Sequence, residues 1–262
     1  MIYVSIKELY LLKRMTKHQK YSLITLVLIS CVFVFIPVYK SILIPIICLV
    51  FTYSLLRGVF SLQENYFMHS MSKSPIDKCI LSFDDGPSEY TLEVLKVLKK
   101  HEIGALFFVI GKQLESFPEL KTILLKEGHL LGNHSYSHAT NFAFKSTKSI
   151  VLDLEKTERL LGADSHKLFR TPIGISNPNI ARAVRKLGLK SIAWDLRSFD
   201  TRSTNSKTLV NSMLKKLQGN SLVLLHDNLK NSAENLDLFI VKSKAKGVKF
   251  TNSDELKALF YE

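Results

Sequence analysis

Apolar residues are unevenly distributed along the 262 positions of the chain. Residues 21–56, YSLITLVLISCVFVFIPVYKSILIPIICLVFTYSLL, carry a single charge, Lys40. At about 1.5 Å per residue, 21–39 reaches about 28 Å and can cross a bilayer as one helix. The second run, 41–56, becomes long enough if it extends through Val59. Pro37 and Lys40 mark a natural break between the two, so the pattern predicts two apolar helices over 21–60, with a single span followed by an interfacial segment as the alternative.

Beyond residue 75 the pattern alternates between strand-like and helix-like stretches. CILSF 79–83, ALFFVIG 105–111, LKSIAWDL 189–196, SLVLLH 221–226 and VKFT 248–251 read as strands. SEYTLEVLKVLKKH 88–101 places Leu92, Leu95 and Leu98 at helical spacing, and FPELKTILLKEG 117–128 reads as a helix ending at Gly128. Further helices are expected over 149–162, over 177–188 with Pro178 in the first turn, over 204–220 and over 233–247. Repeated strand–helix units imply an α/β fold with a mostly parallel sheet, open or closed into a barrel, and place any chemistry where strands end. The expected organisation is a basic segment 1–20, a hydrophobic anchor 21–60, a polar tether 61–75 and one catalytic domain 76–262.

Charge adds a partner to this picture. A formal net charge of +13 suits anionic lipid headgroups or an anionic envelope polymer. No zinc-finger spacing or aromatic–basic platform points to nucleic acid. Lys7, Lys13, Arg14, Lys17 and Lys20 stand against Glu8 before the first apolar run, which favours a cytoplasmic N-terminus. That long head, with no small-x-small site after the run, does not suit a cleaved signal peptide. Cys31 and Cys48 lie in the apolar region and leave Cys79 alone in the remainder, so no internal disulfide staples the expected domain.

The candidate chemistry sits at the ends of the predicted strands. ILSFDDGPSEYT 80–91 sets Asp84 and Asp85 side by side before a Gly-Pro turn, and two adjacent carboxylates ask for a cation, a proton-transfer task, or both. GNHSYSH 132–138 supplies His134 and His138 four residues apart. If this segment is helical, both imidazoles share a face and reach one cation. One carboxylate completes a His-His-Asp set, and its neighbour is left to accept a proton from attacking water. FRTPIG 169–174 brings Arg170, and WDLRSFD 194–200 brings Trp194, Asp195 and Asp200, either carboxylate being able to pair with the arginine. VLLHD 223–227 ends a buried strand at His226, placed to protonate a departing amine.

Taken in order, SFDDGP 82–87, HSYSH 134–138, RTPIG 170–174, WDLRSFD 194–200 and LLH 224–226 resemble the five motifs of the polysaccharide deacetylases, the NodB-homology domain of carbohydrate esterase family 4. The resemblance covers residues 76–253. It implies a distorted, incomplete (β/α) barrel, here preceded by one or two transmembrane helices. It implies Asp84 as general base, Asp85 as metal ligand with His134 and His138, and His226 as general acid. Arg170 would orient Asp84, and Asp200 would hold Arg170. The resemblance also has Leu224 lining the pocket for the acetyl methyl and the N–H of Ile173 joining the oxyanion site, with Trp194 beside the substrate. Ile173 stands where an aromatic residue is usual, and Thr201 follows Asp200 where many members have tryptophan.

The function implied is hydrolytic N-deacetylation of a sugar in a chitooligosaccharide, peptidoglycan or other surface glycan. One divalent metal is implied, zinc by default, with cobalt and nickel accepting the same ligands. A deacylase of a polyprenyl-phosphate-linked sugar at the membrane, and a non-catalytic carbohydrate-binding or structural membrane protein, are the competing readings. The expected location is the cell membrane; pattern and motif leave oligomeric state open.

Overall fold

The computed structural model describes residues 15–202 and 205–260. Lys7, Glu8, Lys13 and Arg14, which bear on orientation, and Thr204, at the expected start of a helix, lie outside the described residues.

Two long helices come first, α1 (Lys17–Phe35) and α2 (Lys40–Phe60), joined by a single 3-10 turn at Pro37–Tyr39. Thr16 caps α1 in a capping box with Gln19, which satisfies the first backbone donors. The helices pack on each other, and most of their apolar side chains face outward, Leu26, Val34 and Leu49 among them. The start of α1 lies beside the end of α2: the His18 N–H donates to the Tyr66 carbonyl at 3.0 Å and Lys17 Nζ to the Glu64 carbonyl at 2.6 Å.

The expected tether does not stay apart from the domain. Within 61–75, Tyr66 and Phe67 are buried, and β1 (Ser70–Met71) pairs with a core strand. The remaining elements are β2 (Ile80–Asp84), α3 (Thr91–His101), β3 (Ala105–Val109), α4 (Gly111–Ser116), α5 (Pro118–Lys126), β4 (Leu130–Asn133), α6 (Thr147–Leu161), β5 (Leu168–Phe169), α7 (Pro178–Lys186), β6 (Lys190–Ile192), β7 (Leu196–Arg197), α8 (Ser206–Lys216), β8 (Leu222–His226), α9 (Ser232–Ala245) and α10 (Ser253–Phe260). All the strand pairings are parallel, in the order β1-β6-β5-β4-β3-β2-β8-β7.

This sheet must curl. β6 and β7 lie six strand spacings apart in that order, about 29 Å if the sheet were flat. Only Ala193, Trp194 and Asp195 connect them, a reach of at most about 14 Å. The sheet is therefore a barrel left open between β1 and β7, and the connection crosses its mouth. Ala193 N–H bonds Met71 O at 2.7 Å on one side, and Asp195 N–H bonds Leu222 O at 3.1 Å on the other. The continuous strand expected over 189–196 is thus two strands, β6 next to one edge of the sheet and β7 at the other. Asp195 fixes the crossing: its carboxylate accepts from the Leu222 N–H at 2.8 Å and the Ser221 hydroxyl at 3.1 Å. VKFT 248–251 is no strand either, contributing one isolated bridge between Phe250 and Cys79.

Strand alternation divides the core into an outer and an inner part. Outward-facing Leu81, Phe83, Phe107, Val223 and Leu225 pack against α3, α8 and α9. Inside the barrel, Ile80, Leu106, Leu130, Leu168 and Leu222 meet Leu256 and Phe260 of α10, which closes the lower end. The helices expected at 149–162 and 177–188 form as α6 and α7; Asn177 caps α7 by accepting the Ile180 N–H, with Pro178 in the first turn. The short strands β4 and β5 and the helix α4 were not expected from the pattern.

Candidate metal centre and active site

The upper end of the barrel gathers polar groups from five strand ends. Asp84 is the last residue of β2 and is buried, and Asp85 follows in a left-handed backbone conformation (φ 71°). The next residue must be glycine, since a Cβ on Gly86 would lie 2.3 Å from both carboxylate oxygens of buried Asp227. Asp227 in turn accepts the Thr91 hydroxyl at 2.6 Å, tying the start of α3 to the end of β8.

His134 and His138 do not lie on a helix. β4 ends at Asn133, and the loop after it reverses through positive φ at Ser135 (67°) and His138 (44°). Neighbouring polar residues hold this shape. Asn133 accepts the Ser135 N–H at 2.8 Å, and Asp153 on α6 accepts the Tyr136 N–H at 2.8 Å and the Ser137 hydroxyl at 2.6 Å. Burial alone would raise the Asp153 pKa, but these bonds and Lys145 hold it below the usual carboxylate value. The imidazoles converge through the loop instead of through helical spacing.

Asp85 Oδ1 is buried without a hydrogen-bond partner, and two imidazole nitrogens flank it: His134 Nε2 at 3.4 Å and His138 Nε2 at 3.2 Å. Ligands bonded to one ion at about 2.0–2.2 Å lie about 3–3.5 Å apart, so this donor set fits a divalent cation. His134 Nδ1 lies 2.8 Å from the Arg170 carbonyl, which fixes the tautomer that turns the Nε2 lone pair toward the site. Burial pushes Asp85 upward, but the close approach and charge of the His134 imidazole, with His138 and His226, bring its pKa down to about 2. Burial and the neighbouring His134 push His138 down.

Arg170 is fully buried at the centre of the polar layer. Its NH1 donates to Asp84 Oδ1 at 2.8 Å and to the Ser82 hydroxyl at 2.9 Å; Nε donates to Ile192 O at 3.2 Å and NH2 to Ala193 O at 2.8 Å. Its guanidinium lies 4.1 Å from the centre of the Phe108 ring. All its donor atoms are engaged without Asp200. The expected Arg170–Asp200 contact is therefore corrected: Asp200 Oδ1 lies 2.7 Å from His226 Nδ1, and its Oδ2 accepts the His226 N–H at 2.8 Å. Asp195 faces β8 and is not the arginine's partner either. Burial would lower the His226 pKa, but Asp200, with smaller contributions from Asp84 and Asp85, raises it to about 9.

Leu224 is buried on the inward face of β8, opposite Ser82 and two residues before His226. Ile173 sits at the rim, half exposed, with φ 63°, a strained conformation for a β-branched residue. No internal hydrogen bond claims its N–H among the described residues. Trp194 lies against this loop: a Cβ on Gly174 would stand 2.7 Å from its ring. Asp85, Ser135, His138, Ile173 and Phe199 are all non-glycine residues with positive φ around one rim, the kind of clustering found at functional sites. Ser82, Asn133, Asp153 and Asp227 were not anticipated as site residues. The one available signal was a polar residue inside or just beyond an apolar run.

The sequence profile of the family described as Polysaccharide deacetylase matches residues 72–192. An uncharacterized 30.6 kDa protein of Geobacillus stearothermophilus is 32% identical over 198 residues, 73% of this chain and 74% of that protein. The chain belongs to the polysaccharide deacetylase family. A peptidoglycan-N-acetylglucosamine deacetylase of Bacillus cereus is 32% identical over 178 residues, 65% of this chain and 64% of that enzyme. The solved structure of a peptidoglycan N-acetylglucosamine deacetylase superposes with a TM-score of 0.66 at 27% identity, covering 80% of this chain and 96% of that one. Family membership accounts for the curled, incomplete sheet and for the Asp-His-His cluster at its rim.

Proposed function

We propose that the protein is a membrane-anchored, metal-dependent hydrolase that removes the acetyl group from an N-acetylated sugar in a cell-surface glycan. One observation carries this reading. Three ligand atoms, from Asp85, His134 and His138, lie within 4.8 Å of one another, flanked by a carboxylate pinned by arginine and an imidazole pinned by a carboxylate. Peptidoglycan or a chitooligosaccharide is the substrate class, in keeping with relatives such as the Bacillus cereus enzyme.

Asp85, His134 and His138 would hold the cation, zinc by default. When bound, a divalent cation there polarises the acetamide carbonyl and makes water more acidic. The residues of the chain divide the proton work. Arg170 occupies Asp84 Oδ1 and leaves Oδ2, 3.8 Å from His134 Nε2, to take a proton from the attacking water. The N–H of Ile173 supplies a donor to the tetrahedral oxyanion. His226, held as an imidazolium by Asp200, gives its Nε2 proton to the amine as the carbon–nitrogen bond breaks and acetate departs. Leu224 and Trp194 wall the acetyl group and the sugar.

The anchor reading draws on the length, apolarity and outward exposure of α1 and α2, which distinguish them from buried core helices. A hairpin whose two ends meet at the domain puts the N-terminus and the active site on the same side of the membrane. With a basic N-terminal segment held in the cytoplasm, that topology favours a second reading, a deacylase of a polyprenyl-phosphate-linked sugar. Reporter fusions after residue 76 separate the two topologies.

The decisive experiment measures acetate release from chitooligomers, peptidoglycan fragments, O-acetyl esters and lipid-linked sugars by metal-loaded protein and two variants. Asp84→Asn and His134→Ala both lower turnover by about 10²-fold or more, while only His134→Ala strongly weakens zinc affinity. Equal activity in all three proteins defeats the mechanism. Correctly folded protein without turnover on any substrate returns the non-catalytic reading.

A further inference from the structure

The mouth of the barrel holds a cavity of about 300 Å³, whose lining includes no residue of the Asp-His-His cluster. One wall is Phe60, Ser61, Leu62 and Gln63, where α2 ends. The other is the crossing segment from Trp194 to Arg197, with Phe199 and Lys216 nearby. The Gln63 side-chain amide bonds the Trp194 carbonyl, so the end of α2 is fastened to the crossing segment.

Arg197 is the unexplained group in this cavity. Its Nε is buried without a hydrogen-bond partner, and no carboxylate pairs with its guanidinium among the described residues. A buried donor left unpaired is costly, so a site that retains one calls for an occupant. The guanidinium lies 5.1 Å from the Phe199 ring centre and 6.0 Å from that of Trp194, so aromatic faces hold it while its donors stay free. Lys216, exposed at the end of α8, adds a second cation to the lining. Asp195 also borders the cavity, but Ser221 and Leu222 occupy both its oxygens.

We propose that this cavity binds the phosphate of an anionic membrane lipid, with Arg197 as its principal ligand and Lys216 as a second. The chemistry is specific. A planar guanidinium matches two phosphate oxygens, and a lysine adds a mobile point charge. Phe60 and Trp194 supply apolar surface for the first carbons of a lipid chain, at the depth where tryptophan and anionic headgroups meet. This inference rests on the reading that α2 crosses the membrane and ends at its surface. It adds a lipid contact whose other wall, Trp194, packs against the Gly174 loop of the active site.

Trp194 is the only tryptophan in the chain, so its fluorescence reports on the cavity directly. The full chain in dodecyl maltoside is titrated with dihexanoylphosphatidylglycerol, farnesyl phosphate, inorganic phosphate and dihexanoylglycerol. A saturable change with either lipid phosphate is expected, and none with the phosphate-free dihexanoylglycerol. Inorganic phosphate should bind at least about 10-fold more weakly, the apolar contacts being lost. Arg197→Gln should raise the lipid Kd by about 10-fold or more, Arg197→Lys by less, and the surface change Lys216→Gln by about threefold.

Tighter binding of farnesyl phosphate than of phosphatidylglycerol identifies an isoprenoid lipid; the reverse order identifies bulk phospholipid. The proposal is overturned if inorganic phosphate binds as tightly as the lipids, or if dihexanoylglycerol gives the same change. Unchanged lipid affinity in both Arg197→Lys and Lys216→Gln also overturns it. Carbonate extraction of membranes tests the anchor separately. Release of the chain there removes the anchor and leaves the titration, which uses short-chain lipids, to decide the cavity.

Discussion

The two ends of the barrel interior are built on the same inward-facing positions with opposite chemistry. The inward face of β2 runs from Ile80 through Ser82 to Asp84, and that of β8 from Leu222 through Leu224 to His226. Below, Ile80 and Leu222 meet Leu106, Leu130 and Phe260 in an apolar plug. Above, Ser82, Asp84 and Arg170 satisfy one another within two pleats of the same strands. The lower end is held by area removed from water, with no direction to it. The upper end is held by directional bonds, each costly to leave unmade, and it alone can present a free carboxylate oxygen and two converging imidazoles.

Truncation at each end separates the two kinds of support. Arg170→Ala leaves Asp84 buried beside an empty volume, and loss of one member of a buried pair costs about 3–5 kcal/mol. It also removes turnover, because the base loses its anchor. Leu106→Ala at the lower end costs about 2–5 kcal/mol through lost burial and a cavity, with zinc affinity unchanged. Denaturant unfolding and zinc titration of the purified chain in micelles measure both. An Arg170→Ala cost below that of Leu106→Ala would break the comparison, showing that water replaces the upper network easily.

A smaller effect is expected at Asp200, where the structure departs from the motif reading. Asp200→Asn should lower kcat/KM on the order of 10²-fold by loosening the general acid. Asp200 raises the His226 pKa, so its loss moves the basic limb of the pH–rate profile to lower pH. If Asp200 acted through Arg170 on Asp84 instead, the acidic limb would move, and the correction would be wrong.

That correction shows where sequence reading stops. The residue types at the strand ends were legible, because carboxylates, imidazoles and an arginine stood beside apolar runs at Asp84, Asp85, His134, His138, Arg170 and His226. Their pairing was not, because it depends on the curl of the sheet. The three-residue crossing at Ala193–Asp195 brings β7 against β8, and only then does Asp200 fall beside His226 and not beside Arg170. The same crossing hid the break in the strand over 189–196, since its apolar pattern runs on while the backbone changes partners. The geometry of His134 and His138 was hidden for a related reason: Asn133 and Asp153 shape the loop, and Asp153 lies on a helix whose periodicity marked only its apolar side.

The least effect is expected outside the barrel near its lower end, where a polar group breaks the outer apolar layer around Phe107. His129 is buried just before β4; its Nδ1 accepts the Ala105 N–H at 3.2 Å, its Nε2 has no partner, and its ring meets that of Phe107 at 5.3 Å. Burial lowers its pKa from 6.5 to about 4. The unfolded chain then takes up a proton between those values while the folded chain does not. Stability is whole above pH 6.5 and falls as the pH drops toward 4, by about 2 kcal/mol at pH 5. Other histidines also shift on folding, His134 upward and His138 downward, so the test is a double difference: unfolding free energies of the wild type and His129→Asn, each at pH 7.5 and pH 5. Asparagine keeps an acceptor for the Ala105 N–H but carries no titrating group. The variant should lose about 2 kcal/mol less than the wild type between the two pH values. Equal losses would mean that His129 is protonated in the folded state, and that the outer apolar layer tolerates a charge as the upper end of the barrel does.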